Sequence, residues 1–386
     1  MSLQEARLRC LAPDTVVPPT NGSAARTLGM ARAVRPHLAG VLLQCFSPDA
    51  APATGVDGVE VVHVVKPTTG PPRALNVLRM FSSRTFGFRF PAWPVEPGTI
   101  VQLESPLLYE AARAASPGPF ILNAHNVYQD MAHFPQARLA ERAFQRVTAG
   151  RQARVETACW EAARHVFFCS EQDRQRAAAL HGGVADKSSV VPNCVDAARF
   201  TPRPSERFAE GGPVLFIGTT RYPPNFFAID ELCTAIAPAL PALTFQIVGD
   251  AALKPRRVPA NVRFTGRLPS TAAHLAAAQV AVAPLRHGSG TRLKLLEFFA
   301  AGLAVVCTAK AAEGLDVRDG REVRFAETAA DFVAAIRALH ADPATAAALG
   351  AAARRLVERR YDWAAHVPHI LDIYARHRPR RRPDGG

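Results

Sequence analysis

Short runs of apolar residues recur along this chain and alternate with longer stretches of helical pattern. In the clearest run, Val59 to Val65, the valines at positions 61, 62, 64 and 65 are nearly continuous. β-Branched runs of this kind are typical of strands that are buried on both faces of a parallel sheet. The alternation therefore predicts an α/β fold built from doubly wound sheets.

The alternation occurs in two halves. In the first half, strands are also predicted at Leu8 to Ala12, Val41 to Phe46, Ile100 to Leu103, Phe120 to Leu122 and Val166 to Cys169. In the second half, they are predicted at Val214 to Ile217, Phe245 to Val248, Val262 to Thr265, Val280 to Pro284 and Leu303 to Thr308. Helices are predicted at Ala24 to Val34 and Pro343 to Arg359, and a further helix is predicted to begin near Thr291. Between the halves, the proline-containing segment Val190 to Pro204 indicates a linker. Because one hydrophobic core rarely organises more than roughly 250–300 residues, this chain of 386 residues is expected to form two domains.

We predict two Rossmann-like domains that face each other across a cleft. The first spans residues 1–200 and the second residues 201–365, and residues 366–376 form a C-terminal helix that packs back on the first domain. The Arg/Pro-rich residues 377–386 form a basic disordered tail. Since open α/β sheets bind ligands outside the carboxyl ends of their strands, we expect the active site in the cleft.

The charge of the chain favours anionic partners. Its formal net charge is +13, and only five of its 46 basic residues are lysines. Nucleic acid, acidic lipid headgroups and phosphorylated small molecules would all suit such a chain. Arg138, Arg142 and Arg146 recur at four-residue spacing and predict one basic helix face. That face is either a solvated surface or a site of peripheral contact with an anionic membrane.

Cysteine usage and the absence of targeting signals point to the cytoplasm. The seven cysteines are scattered without a close Cys-x-x-Cys pair and are interpreted as reduced core thiols. The N-terminus lacks the pattern of a signal peptide, and no run of about 18 apolar residues could span a bilayer. No Asp-x-Asp pair and no His/Cys cluster with ligand spacing occurs, so neither a metal nor another cofactor is expected.

One stretch of the second half, Val280 to Gly302, predicts a phosphate-binding loop between a strand and a helix. The loop contains Gly288, Ser289, Gly290 and Thr291. Glycine lets the backbone approach a ligand closely, and the free amides of a helix N-terminus favour phosphate. Arg292 and Lys294 add two full charges near the start of the helix. The alternative is an ordinary strand-to-helix turn, which is the commonest connection in any α/β protein.

Glu297 stands in an otherwise apolar part of the same helix, where an unpaired carboxylate is costly to bury. It therefore needs a dedicated partner. Lys294, three residues earlier, could lie on the same helix face and form an internal Glu–Lys pair. The alternative partner is a pair of ribose hydroxyls, which a carboxylate can accept bidentately.

Nine segments of the chain occur in the order found in one enzyme family. In the second half they are VLFIGTTRYPPN, FQIVGDA, VRFTGRLPS, GSGTRLKLLEFFAAGLAVVCT, AAEGLDVRDG and RRYDW, and in the first half HNVY, FFCSEQDR and VVPNCVDAARF. Together they resemble the retaining family 4 glycosyltransferases, also called glycosyl transferases group 1, which have the two-sheet GT-B fold. The likeness covers most of the chain.

The resemblance implies roles for the loop and helix of the second domain. Glu297 is implied to bind the donor ribose, as the second acid of the Glu-x7-Glu motif of this family. The first acid would stand at position 289, where this chain has Ser289, so the preference for a donor sugar does not carry over. Arg292 and Lys294 are implied ligands of the donor diphosphate. Arg221 is the nearest candidate for the arginine that relatives carry after the first strand of this domain.

Further donor-binding residues follow from the same likeness. Arg267 and Leu268 are implied to border the nucleobase, with Gly249 below it. Arg267 either stacks on the base or is a solvated loop arginine. Gly22 and Ser23 stand in the loop after the first strand, which faces the donor phosphates in relatives. Here too an ordinary turn is the alternative.

His125 follows a predicted strand of the first domain. A lone histidine in such a place is more often structural. In the family, however, a histidine at this strand end lies near the reacting sugar, so His125 is implied to bond the donor sugar or to orient the acceptor. Cys194 stands where glycine is usual in the family, and we interpret it as a hinge variation rather than as a nucleophile.

The implied activity is metal-independent, hexosyltransferase-type transfer from a nucleotide-diphosphate sugar to a saccharide or lipid-linked acceptor, with retention of anomeric configuration. Residues 1–200 would form the acceptor-side domain and residues 201–365 the donor domain of an enzyme of polysaccharide biosynthesis. Nucleic acid is not an expected partner. Two alternatives stay open, a nucleotide-sugar 2-epimerase on the same fold and a non-catalytic module that binds nucleotide sugars.

Overall fold

The structure is a computed structural model, and the chain folds into two compact units that are described separately. The structure describes residues 3–19, 21–47, 53–65, 88–93, 96–130, 139–253, 255–268, 270–288 and 291–379. The first unit comprises residues 1–192 and 366–386, and the second comprises residues 193–365.

The described part of the first unit is built on an eight-stranded sheet. The strands are β1 (Arg7–Ala12), β2 (Gly40–Ser47), β3 (Thr54–Val56), β4 (Val59–Val65), β5 (Thr99–Leu103), β6 (Ile121–Ala124), β7 (His165–Phe168) and β8 (Ser188–Val190). Their order is β3-β4-β2-β1-β5-β6-β7-β8, and all pairs are parallel except the edge pair β3–β4. The strand order reverses beside β1, so the carboxyl ends of β1 and β5 mark the place where such sheets bind ligands.

Helices connect these strands, as the alternating pattern predicts. They are α1 (Gly22–Val34), α2 (Tyr109–Ala115), α3 (Leu139–Ala162) and α4 (Glu171–Leu180). Helix α1 begins two residues earlier than the predicted start at Ala24, because Asn21 is its N-cap and accepts a hydrogen bond from the Ala24 amide at 2.8 Å. Gly22 and Ser23 therefore lie in the first turn of a helix instead of in the preceding loop.

The second unit contains a six-stranded parallel sheet within its described residues. The strands are β9 (Val214–Ile217), β10 (Phe245–Val248), β11 (Val262–Gly266), β12 (Val280–Ala283), β13 (Ala304–Cys307) and β14 (Arg324–Phe325). Their order is β11-β10-β9-β12-β13-β14, which is the doubly wound order of Rossmann folds. The strands are short and apolar because both faces of the sheet are covered, and every residue of β12 and β13 is buried.

Five helices accompany this second sheet in the described residues. They are α5 (Pro223–Glu231), α6 (Ala272–Ala277), α7 (Leu293–Ala300), α8 (Ala329–Ala341) and α9 (Pro343–Leu356). The predicted helix Pro343 to Arg359 ends at Leu356, and a π-helical turn, Val357–Tyr361, follows it. Helix α7 lies in the core, where Leu295, Leu296 and the two phenylalanines at 298 and 299 are fully buried.

A last helix, α10 (Trp363–His377), joins the first unit from residue 366 onward. The buried Tyr374 hydroxyl donates to Gln102 Oε1 on β5 at 2.7 Å. Residues 380–386 of the basic tail, like Arg138 and the side chains of the two arginines at 142 and 146, lie outside the described residues. Within the described part of the chain, no helix has the length and apolar character needed to cross a membrane.

Candidate active site

The carboxyl edge of the second sheet is built from closely packed glycine backbone. Gly218 follows β9, Gly249 follows β10, and Gly266 ends β11. The Gly249 amide donates to the Gly266 carbonyl at 3.0 Å, and Gly249 has a φ of 145°. A Cβ at Gly249 would collide with the carbonyl oxygen of Gly218. A side chain is thus excluded at Gly249, whereas Gly266 has open space around it.

The loop after β12 leads into helix α7 at the same edge. Helix α7 begins at Leu293, two residues later than predicted, and its N-cap residue Arg292 makes no side-chain cap hydrogen bond. Gly288 has a φ of 103°, and a Cβ there would lie 2.8 Å from the Tyr222 hydroxyl and 3.0 Å from an Arg292 guanidinium nitrogen. The positive φ therefore favours glycine at this position, and a side chain there would displace the ends of Tyr222 and Arg292.

The last two residues of this loop are buried, and one of them is held by a hydrogen bond to its backbone. Thr291 and Arg292 are each only 9% exposed. The side-chain amide of Asn193 donates to the Thr291 carbonyl at 3.0 Å. Ser289 and Gly290, which were predicted to bind the donor, lie outside the described residues.

Lys294 lies beneath the end of β9. Its ammonium group donates to Asn225 Oδ1 at 2.7 Å and lies 4.4 Å from the centroid of the Phe216 ring. Burial and, second, the positive charge of Arg292 lower the pKa of Lys294 to about 7, and Glu297 opposes this shift. Two cationic side chains therefore stand close together at a helix N-terminus, which suits an anionic ligand.

The carboxylate of Glu297 makes no hydrogen bond and no ion pair within 4 Å among the described residues. The internal Glu–Lys pair is not formed, because the amine of Lys294 bonds Asn225 instead. Burial raises the pKa of Glu297 to about 7, although the charge of Lys294 lowers it. This carboxylate is therefore a candidate ligand-binding group.

The predicted residues at the rim of this edge are more exposed. The Arg221 guanidinium donates to Asp250 at 2.8 Å, and the Arg221 side chain is 72% exposed. The hydrogen bond from Arg221 lowers the pKa of Asp250. Arg267 is also exposed, whereas Leu268 is partly buried and packs on the core of this unit. Arg221 therefore forms a surface ion pair and does not join the buried cations.

In the first unit, three polar side chains meet where β1, β5 and β6 end. Ser23 lies in the first turn of α1, Glu104 follows β5, and His125 follows β6. Ser23 Oγ is 2.5 Å from His125 Nδ1, and His125 Nε2 is 2.9 Å from Glu104 Oε2. His125 is 7% exposed, and burial lowers its pKa even though Glu104 acts in the opposite direction. Gly22, one residue before Ser23, is exposed.

Four residues of these two edges were missed from the sequence. They are Glu104, Asn193, Tyr222 and Asn225. A polar residue directly after a buried strand was a usable signal for Glu104. Asn193 bonds the Thr291 backbone carbonyl, 98 residues away along the chain, and Asn225 bonds the Lys294 ammonium group, 69 residues away, so their roles had no local signature.

Two models of known families match the sequence. The family described as Glycosyltransferase Family 4 matches residues 20–199, and the family described as Glycosyl transferases group 1 matches residues 212–342. The chain is a group 1, family 4 glycosyltransferase. The first match contains Ser23, Glu104 and His125, and the second contains the whole of the loop and helix around Arg292.

Solved structures show that this glycosyltransferase has the GT-B fold. Sucrose-phosphate synthase from Thermosynechococcus elongatus is 18% identical, with a TM-score of 0.70, over 96% of this chain and 98% of that chain. Anabaena HepE in complex with UDP-glucose is 15% identical, with a TM-score of 0.67, over 96% and 99%. A glycosyltransferase from Rickettsia africae is 13% identical, with a TM-score of 0.58, over 96% and 98%. No protein of curated function matches the sequence.

Proposed function

We propose that this glycosyltransferase moves a sugar from a nucleotide-diphosphate sugar to a saccharide or lipid-linked acceptor, with retention of configuration and without a metal ion. The observation that carries this proposal is the paired cations Arg292 and Lys294 at the N-terminus of α7. Burial and, second, the positive charge of Arg292 lower the pKa of Lys294, and a bound diphosphate would favour its charged form. The amides at the start of α7 add hydrogen-bond donors for the same anion.

The same groups suit the chemistry of sugar transfer. As the bond between the anomeric carbon and the phosphate oxygen breaks, its electron pair leaves with the nucleoside diphosphate. Arg292, Lys294 and the helix N-terminus would stabilise this growing negative charge without reorganisation. The acceptor hydroxyl oxygen forms the new bond to the anomeric carbon and gives its proton to an oxygen of the departing diphosphate. Since two side chains and a helix terminus supply the positive charge, no metal is needed for that task.

Two further residues complete the proposed donor site. Glu297 would accept hydrogen bonds from the two ribose hydroxyls, because its carboxylate has no partner among the described residues. Gly266, whose amide neighbour Gly249 is packed against backbone, has open space around it where a planar base would fit. Anabaena HepE, which shares the fold, has been crystallised with UDP-glucose, and this supports a nucleotide-hexose donor. His125 is proposed to hydrogen-bond the transferred sugar or to orient the acceptor.

Calorimetry with UDP, GDP and ADP in the presence of EDTA tests the donor site. We expect one nucleotide to bind more tightly than the other two. At ~100 times its dissociation constant, that nucleotide should raise the free energy of unfolding by about 2.7 kcal/mol. Arg292→Ala should weaken binding by about 10- to 100-fold, as expected for losing a charged hydrogen bond of about 1.5–3 kcal/mol. Glu297→Gln should weaken nucleoside diphosphates but not inorganic pyrophosphate.

Two exposed residues of the same unit provide matched controls, Arg324→Ala and Glu358→Gln, and both should bind as the wild type does. Equal binding of every nucleotide by wild type and Arg292→Ala would contradict the proposal. Activity is checked on the preferred nucleotide hexose by following the released sugar with ¹H NMR before it mutarotates. The retained anomer, formed in EDTA, is expected. An inverted anomer, a need for metal, or an epimerised nucleotide sugar would overturn the corresponding part of the proposal.

A further inference from the structure

The side chains around His125 form one hydrogen-bonded network in which every donor and acceptor is determined. At one end lies Glu104, which is 1% exposed. Its Oε2 accepts from the Thr27 hydroxyl at 3.0 Å and from the Asn123 amide at 2.9 Å, and its Oε1 accepts from the Gln102 amide at 2.5 Å. The orientation of the Asn123 amide is fixed, because its Oδ1 accepts from the Arg26 guanidinium at 2.9 Å.

These contacts keep Glu104 ionised. Burial alone would raise its pKa, but the hydrogen bonds, of which that from His125 is the strongest, hold the pKa below its ordinary value. An ionised carboxylate can only accept hydrogen bonds. His125 Nε2, 2.9 Å away, must therefore carry a proton and donate it to Glu104.

The protonation of the His125 ring then determines whether the Ser23 hydroxyl donates or accepts the hydrogen bond between them. Burial lowers the pKa of His125, so the ring is neutral near pH 7 and holds one proton. With that proton on Nε2, Nδ1 accepts a hydrogen bond from the Ser23 hydroxyl, and the Oγ–Nδ1 distance is 2.5 Å. The hydroxyl group has no second proton, so Ser23 Oγ can only accept further hydrogen bonds. The Ser23 side chain is partly exposed, which leaves this oxygen within reach of a ligand.

We propose that Ser23 Oγ is a fixed hydrogen-bond acceptor for a hydroxyl of the transferred sugar, and that Glu104, acting through His125, is the positioning residue that sets its polarity. This inference rests on the proposed function. The segment of Gly22 and Ser23 was expected to face the donor phosphates, but the Ser23 hydroxyl has no proton left for a phosphate oxygen, because it donates to His125 Nδ1. The substrate class it assigns is a neutral hexose, since a carboxylate at the same place would face oxygen lone pairs and a buried negative charge.

The polarity can be measured without any substrate. ¹⁵N NMR of the full chain labelled at histidine distinguishes protonated from unprotonated ring nitrogens, and His125→Gln identifies the resonances of His125. We expect Nε2 to be protonated and Nδ1 to be unprotonated at pH 7.5. Glu104→Met, which removes the acceptor of the Nε2 proton, should produce a mixture of tautomers. A wild-type ring protonated at Nδ1 overturns the proposal, whether or not Glu104→Met folds.

The specificity is tested by calorimetry with UDP-glucose against UDP-glucuronate, and with GDP-mannose against GDP-mannuronate. Wild type should prefer the neutral sugar by at least about tenfold, which corresponds to about 1.4 kcal/mol. Ser23→Ala should lose most of this preference, and Ser23→Thr, which keeps the hydroxyl, should retain it. A preference that survives Ser23→Ala unchanged, or one absent from wild type, rejects the assignment. UDP and GDP themselves should bind all three proteins equally, and a failure of both to bind would reject the donor site instead.

Discussion

Lys294 and Glu297 are three residues apart on one helix, yet the fold gives each a separate environment. The ammonium group lies between an amide oxygen and an aromatic ring, and the carboxylate has no partner among the described residues. Burial moves the pKa values of Lys294 and Glu297 to about 7, from ordinary values of 10.5 and 4.5. A donor that pairs with the charged form of each would recover the energy lost on burying them.

This arrangement predicts a bell-shaped pH dependence of donor binding. Above pH 7 Lys294 loses its proton and its attraction for the diphosphate, and below pH 7 Glu297 gains a proton and loses the ability to accept two ribose hydrogens. The diphosphate diester of a nucleotide sugar does not titrate in this range. Affinity for the preferred nucleotide sugar, measured by calorimetry from pH 5.5 to 9, should therefore be greatest near pH 7, with the two limbs belonging to the coupled pair.

Variants separate the two limbs of that profile. Lys294→Met should flatten the alkaline limb and Glu297→Gln the acidic limb, while Arg324→Ala, on the surface of the same unit, should leave both unchanged. A flat wild-type profile would show that neither group changes charge in the free enzyme near pH 7.

A second prediction at the residue scale concerns Gly249. A methyl group there would strike the Gly218 carbonyl oxygen as well as strain a backbone with a φ of 145°. Gly249→Ala should lower the free energy of unfolding by about 2–4 kcal/mol, from strain and overpacking combined. Gly211→Ala is the matched control, because Gly211 also has a positive φ, of 76°, but open space around it. Urea denaturation of both variants should show the smaller loss, about 1–2 kcal/mol, for Gly211→Ala.

At the scale of elements, helix α10 is held to the first sheet by a cluster of histidines. His165 on β7 and His369 on α10 both bond the Ser189 hydroxyl at 2.8 Å, and the rings of His165 and His377 are 5.8 Å apart. Burial lowers the pKa of His165 to about 4, and the charges of His377, His369 and Arg376 lower it further. A positive charge on His165 is therefore unfavourable in the folded protein.

The docking of α10 should therefore weaken in acid. His165 binds a proton in the unfolded chain below its ordinary pKa of about 6.5, but in the folded chain only near pH 4, so its stabilising contribution is lost as the pH falls from about 6.5 to about 4. We expect unfolding free energy to drop by about 1–3 kcal/mol over this range from this group. Protection factors from hydrogen exchange of the α10 amides at pH 7.5 and at pH 5 measure this loss of stability. His165→Gln should exchange with less pH dependence, and His181→Gln, a surface control, should behave as wild type.

At the scale of the whole molecule, the excess of arginine predicts contact with an anionic membrane. The chain carries 13 more positive than negative charges. In flotation with vesicles, we expect binding when phosphatidylglycerol is present, loss of binding with phosphatidylcholine alone, and weakening by salt. Replacing Arg142 and Arg146 together by alanine should reduce binding, while the same change at Arg359 and Arg360 should not. Protein that stays in the soluble fraction with acidic vesicles contradicts the prediction.

Much of the architecture was predictable because its signals are local. Val214–Ile217 and Phe245–Val248 were predicted with their exact bounds, since strands buried on both faces are short and uniformly apolar. Arg292, Lys294 and Glu297 stand within six residues of one another, so they could be proposed together as one candidate site. Helix ends were less accurate, because a cap such as Asn21 acts through one side-chain hydrogen bond.

The sequence by itself determined the class of the sheets, the family and the residues of the loop before α7. Only the tertiary structure decided how their charges are arranged. It bonded Lys294 to Asn225 instead of Glu297, paired Arg221 with Asp250, and brought Ser23 to His125 across 102 positions and Glu104 to it across 21. The physical reason is that apolar periodicity is set by neighbours along the chain, whereas the partner of a buried polar group is whichever group the fold places within about 3 Å.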